Sequence, residues 1–151
     1  MGLAKDYTDD FFRDMSSLGS IFGAGFILLF FILAGKYTAV KQIVFALAVG
    51  QAIAWLIRAF YFRRRPNNKQ YSTFLERLDA SSFPSIHAIR AGLMFVIVNN
   101  YFNSLIYTII LGVMALSVLY SRIYLKKHHF SDVAVGVCVG LAVGYAAIAF
   151  L

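Results

Sequence analysis

The stretch SRIYLKKHHFSDVAVGVCVGLAVG, residues 121–144, joins a polar segment holding Arg122, Lys126, Lys127, two adjacent histidines and an aspartate to a wholly apolar run. No charged residue occurs from Val133 to Leu151. That is close to the roughly 20 apolar residues a helix needs to cross a hydrocarbon core about 30 Å thick. The charges must then gather at the membrane face where that helix begins, because isolated charges inside hydrocarbon are expensive.

Outward from this stretch, four more apolar segments precede it, at about 18–35, 40–62, 85–98 and 104–124, the third being the shortest. Of the 151 residues 60% are hydrophobic and 14% charged, with a mean hydropathy of +0.72, whereas soluble domains carry about 45–50% apolar residues. The fold class that follows is all-α, a polytopic transmembrane helical bundle of about five spans. Residues 1–17 place Phe11 and Phe12 on an apolar stripe, continued by Met15 and Leu18, against acidic positions, which predicts an amphipathic interfacial helix. No repeat or linker divides the chain, so residues 1–151 are expected to form a single membrane-embedded domain with residues 18–151 as its transmembrane core. The acidic, polar start is unlike a cleavable signal peptide.

A net charge of +7 implies an acidic partner, and for a membrane protein lipid phosphates or an anionic leaflet come before nucleic acid. Cys138 is the single cysteine and lies in an apolar run, so neither an intrachain disulfide nor a cysteine-rich metal site is open to one chain. If five spans alternate, Lys36 and Lys41 fall on one face while the other twelve Lys and Arg, Lys69 among them, share the opposite face with all seven acids. The positive-inside rule by itself explains such a count.

Three polar stretches ask for more. Pro66 predicts that the second span stops at Arg65, and Arg58, seven residues earlier, would then share a helix side with Arg65. Pro84 suits the first turn of a helix, so PSIH (84–87) opens the third span at Pro84 or Ser85, after a loop at 67–83. Free N–H groups of Ser85, Ile86 and His87 would make that end an anion site, with the Ser85 hydroxyl as a further donor and His87 near enough to move a proton. In the third stretch, His128 and His129 stand four and three residues before Asp132, and either spacing lets the carboxylate fix an imidazole tautomer. A histidine metal site is disfavoured by the arginines crowding the same face.

RAFYFRRRP (58–66), PSIH (84–87) and SRIYLKKHHFSD (121–132) together resemble the three signature motifs of the type 2 phosphatidate phosphatase family, KxxxxxxRP, PSGH and SRxxxxxHxxxD. The resemblance implies a membrane lipid phosphatase working without metal or cofactor. It assigns His128 as the nucleophile that forms a phosphohistidine, Asp132 as its orienting group and His87 as the acid for the leaving oxygen. Arg58, Arg65, Ser85, Ile86 through its N–H, and Arg122 would hold the phosphoryl oxygens. Lys126, Lys127, Arg63 and Arg64 are left as leaflet contacts, and His129 as an interfacial neighbour. Two positions depart from the family: Arg58 stands for lysine and Ile86 for glycine.

The expected partners are the bilayer and a phosphorylated lipid, which the resemblance leaves open among phosphatidylglycerol phosphate, phosphatidate, a polyprenyl diphosphate and a lipid A phosphate. The expected location is the cell membrane, with the face of the site undetermined by charge alone. The rival readings are a lipid phosphotransferase and a catalytically silent lipid-binding protein.

Overall fold

The computed structural model describes residues 2–67 and 70–151, with side chains from Lys5 onward; Asn68 and Lys69 lie outside the described residues. The order is α1 (Gly2–Leu18), α2 (Ile21–Leu33), α3 (Tyr37–Phe60), α4 (Phe74–Ala80), α5 (Ile86–Phe102), α6 (Leu105–Tyr124) and α7 (Phe130–Phe150). No strand occurs among the described residues.

The predicted apolar segments become α2, α3, α5, α6 and α7. Of these α3, α6 and α7 are long and apolar enough to cross a membrane individually. Helix α5 is apolar but has 17 residues, and α2 has 13, which at 1.5 Å per residue is about 20 Å of helix. Helices α1 and α2 form a pair bent by 50°. The break falls where Ser20 caps α2 by accepting from the Phe22 and Gly23 N–H groups.

Helix α5 is the hub, packed against α3, α6 and α7. The buried stripe of α3 recurs every three or four residues through Ala39, Ile43, Ala46, Gly50 and Ala54 and ends on Arg58, which is why that arginine points inward. The closest approach is between α5 and α7. A side chain at Gly136 would meet the Ser85 carbonyl at 2.7 Å, and one at Gly140 would enter the Ile89 carbonyl. Small residues at such spacing let helix backbones touch, the usual packing solution in lipid.

Two predicted boundaries move. The second span ends at Phe60 rather than Arg65, because residues 61–65 are drawn out beside the segment after α4: the Ser82 N–H donates to the Arg63 carbonyl at 2.8 Å and the Arg63 N–H to Ser81 Oγ at 3.3 Å. Pro84 does not open α5. Its peptide bond to Phe83 is cis, Ser85 is the N-cap, and the first helical residue is Ile86. The reason is that the Ser85 N–H is tied to the Asp132 carbonyl at 3.0 Å, which holds Ser85 outside the helix. The predicted loop at 67–83 contains α4, started by a capping box between Thr73 and Glu76.

Candidate active site

A cavity of about 730 Å³ opens at the polar end of the bundle, between α1, α3, α5, α6 and the segment before α7. Six of the eight predicted site residues line it: Arg58, Arg65, Ile86, His87, Arg122 and His128. Ser85 and Asp132 are fully buried behind its wall instead. The positions seven apart, 58 and 65, do meet here, although not on one helix; Arg65 comes from the extended segment.

His128 sits in the connection between α6 and α7 with 3% of its surface exposed. Its Nδ1 lies 2.8 Å from the Ser82 carbonyl. A carbonyl can only accept, so Nδ1 carries the proton and the Nε2 lone pair is left free for attack. Burial first, then the charges of Arg122 and Arg65, pull this imidazole down to about 3, against the opposing effect of the Ser82 bond. It is therefore neutral throughout the ordinary pH range.

Asp132 does not hold His128 in this arrangement. Its Oδ2 is 3.9 Å from His128 Nδ1, beyond hydrogen-bond reach. As the third residue of α7 the carboxylate turns back to cap the helix, taking the His129 N–H at 2.8 Å and His129 Nδ1 at 3.2 Å on Oδ2. Its Oδ1 accepts from Arg63 at 2.7 Å. His129 is thus a structural partner of Asp132 instead of an unattached interfacial residue, and His128 is the histidine that reaches the cavity.

The arginines are held from behind. Arg58 donates from Nη1 to the Leu78 carbonyl at 2.9 Å and from Nη2 to the Pro84 carbonyl at 2.8 Å, pinning both ends of the segment that carries Ser82. Arg65 donates to the Asp79 carbonyl at 2.5 Å, and burial lowers its guanidinium from the usual range. Arg122 bonds to Ser16 of α1. Each keeps donors in reserve. Among the described residues, the buried side-chain polar atoms without a partner are Arg58 Nε, Arg65 Nε, Arg122 Nε and Ser85 Oγ. Every one belongs to a residue predicted to bind phosphate.

Several cavity residues were not predicted. Arg13 and Ser16 come from α1, Gln51 from α3 and Arg90 from α5. Lys127, expected at the leaflet, lines the cavity, and burial together with Arg122 and Arg65 lowers its ammonium pKa; Lys126 stays exposed. Arg63 was also expected at the leaflet. Its signal lies in a two-residue alternation: alternate residues of an extended segment share a face, so Arg63 and Arg65 turn inward while Arg64 is exposed. Among the described residues, no group of three or more His, Cys, Asp or Glu side chains stands close enough to hold a metal ion.

Membrane-spanning helices thus close around converging cations and a proton-free imidazole nitrogen. The chain belongs to the PAP2 superfamily, whose family model matches residues 39–151. It is 34% identical over 96 residues to decaprenylphosphoryl-5-phosphoribose phosphatase of Mycobacterium tuberculosis, an alignment covering 64% of this chain and 52% of that protein. The chain thus spans about half the length of the curated relatives it matches. The crystal structure of Aquifex aeolicus LpxE superposes with a TM-score of 0.79 at 25% identity, covering 95% of this chain and 87% of the other. That of a PAP2-type phosphatidylglycerolphosphate phosphatase from Bacillus subtilis gives 0.70 at 21% identity, covering 95% and 76%, a likeness of fold.

Proposed function

We propose that the protein is a membrane lipid phosphatase acting through a phosphohistidine on His128, as a single membrane-embedded unit of the cell membrane. The observation that carries this reading is the set of three unpartnered buried guanidinium donors, on Arg58, Arg65 and Arg122, around one histidine-bearing cavity, with the unpartnered Ser85 hydroxyl buried behind its wall. Buried donors normally find acceptors. A phosphoryl group supplies several acceptor oxygens at once, and its transfer spreads negative charge over equatorial oxygens that fixed cations stabilise.

His128 Nε2 attacks phosphorus, with its tautomer set by the Ser82 carbonyl, while Asp132 secures the start of α7 and the extended segment carrying Arg63. His87, at the first turn of α5, gives its proton to the leaving oxygen. The Ile86 and His87 N–H groups precede the helical bonding pattern, as in any first turn, and complete the anion site.

The test is phosphate release by the purified protein in detergent from phosphatidate, phosphatidylglycerol phosphate, a prenyl diphosphate and a lipid A phosphate. His128→Ala is expected to lower turnover by a thousandfold or more, and His129→Ala by far less. Undiminished release by His128→Ala would overturn the assignment.

A further inference from the structure

Arg90 belongs to none of the three motifs, yet it walls both the basic cavity and a second, apolar groove of about 310 Å³ between α2, α5 and α6. It follows His87 by three residues on α5, so the two side chains are neighbours on one helix face. Its Nη2 donates to Gln51 Oε1 of α3 at 2.9 Å, which steadies the guanidinium at the junction of the two spaces.

The groove leads away from the chemistry. On α5 it is bordered by Ala91, Met94, Phe95 and Val98, which continue down the helix from Arg90. Its near end is Gly19, where an added Cβ would stand 2.6 Å from Val118 and 3.3 Å from His87. Glycine at this position lets the end of α1 pack directly against Val118 and His87. A cation at this depth in an apolar bundle is expensive without an anionic partner. Gln51 is neutral, and a half-buried residue inside two cavities is not a leaflet contact.

Among the described residues, Arg90 is thus the one residue common to the cavity that holds His128, His87 and the motif arginines and to the apolar groove. A ligand occupying both spaces presents a transferable phosphoryl group, a leaving oxygen, a second anionic group and a hydrocarbon chain. We infer that the substrate is a lipid diphosphate cleaved between its two phosphorus atoms, and that Arg90 is the specificity residue that reads the phosphate retained by the lipid. This inference rests on the phosphatase reading above.

In the reaction, His128 Nε2 forms a bond to the distal phosphorus as the bond from that phosphorus to the bridging oxygen breaks. The bridging oxygen leaves with its electron pair on the lipid monophosphate and takes a proton from His87. Water then adds to the phosphohistidine phosphorus, returns a proton to His87 and releases inorganic phosphate, restoring His128.

Farnesyl diphosphate and farnesyl monophosphate, compared as substrates of the full chain in detergent, test the idea. The wild type is expected to favour the diphosphate at least tenfold in kcat/KM, with farnesyl monophosphate and inorganic phosphate as first products. In Arg90→Gln the preference falls to within about threefold of unity, chiefly through KM for the diphosphate, and Arg90→Lys keeps part of it. A wild type that favours the monophosphate, releases inorganic diphosphate, or keeps its preference in Arg90→Gln overturns the inference. So does an equal loss on both substrates in Arg90→Gln at an unchanged melting temperature. Turnover of phosphatidate with neither farnesyl substrate cleaved overturns the diphosphate assignment but leaves the phosphatase reading, whereas a wild type inactive on every lipid phosphate removes both.

Discussion

The proton on His128 Nδ1 rests on a backbone oxygen, that of Ser82, which no side-chain substitution removes. Only the placement of the segment carrying it can change, and Arg58 fixes that placement at Leu78 and Pro84. Arginine at position 58, where the family has lysine, makes both bonds from a single planar fork. Burial holds His128 neutral with its imidazole at about 3, against about 6.5 in an unfolded chain. The unfolded state therefore takes up the proton first. The stability associated with this group is fully present above about pH 6.5 and is lost as pH falls from there toward 3. Melting temperatures in detergent between pH 7.5 and 4.5 should fall less steeply for His128→Gln than for the wild type; equal slopes would assign the acid sensitivity elsewhere.

At the scale of elements, α1 has the larger part than its amphipathic pattern announces. The pattern does predict the helix, and Phe12 of its apolar stripe packs on Tyr120 and Tyr124 of α6. It does not predict that Asp9 accepts from the Tyr124 hydroxyl at 2.9 Å or that Ser16 is buried against Arg122. Helix α1 precedes the region matched by the family model, so this wall of the cavity is outside the three-motif frame. Losing the Ser16 hydroxyl leaves a buried arginine N–H without its acceptor, a loss on the order of 1 kcal/mol in the aim of the fork. Ser16→Ala is expected to raise KM about threefold to tenfold with a smaller change in kcat, and Ser16→Thr to restore most of it. Steady-state kinetics decide, and a fall in kcat alone would place Ser16 outside substrate binding. What the sequence disclosed at this scale was hydrophobic length and the residues at motif spacing. The extended segment of residues 61–65 depended on pairing with Ser81 and Ser82, which local periodicity does not encode, whereas the capping box of α4 and the turn of Asp132 toward His129 are contacts three residues apart.

Over the whole molecule, polar chemistry gathers at one end of the bundle and leaves the other nearly neutral. Lys36 lies at the far end, over the ring of Tyr101 at 5.7 Å. Helix α3, with 24 residues, joins the two ends, a length of about 36 Å that suffices to cross a bilayer. Single cysteines at Lys36 and at Asn67, in a Cys138→Ala background, should therefore react with an impermeant maleimide from opposite sides of sealed vesicles. The position labelled in intact cells then identifies the face of the active site; labelling of both from one side would refute the crossing of α3. The contact of α5 with α7 also bears on inheritance. Backbone oxygens of Ser85 and Ile89 occupy the space that any side chain would fill at positions 136 and 140, so no single replacement there is neutral. The outward Tyr145 and Phe150 are exposed and free to drift among bulky apolar residues. Divergence along α7 is thus metered by a four-residue beat, silent where the helices touch and audible on the lipid side.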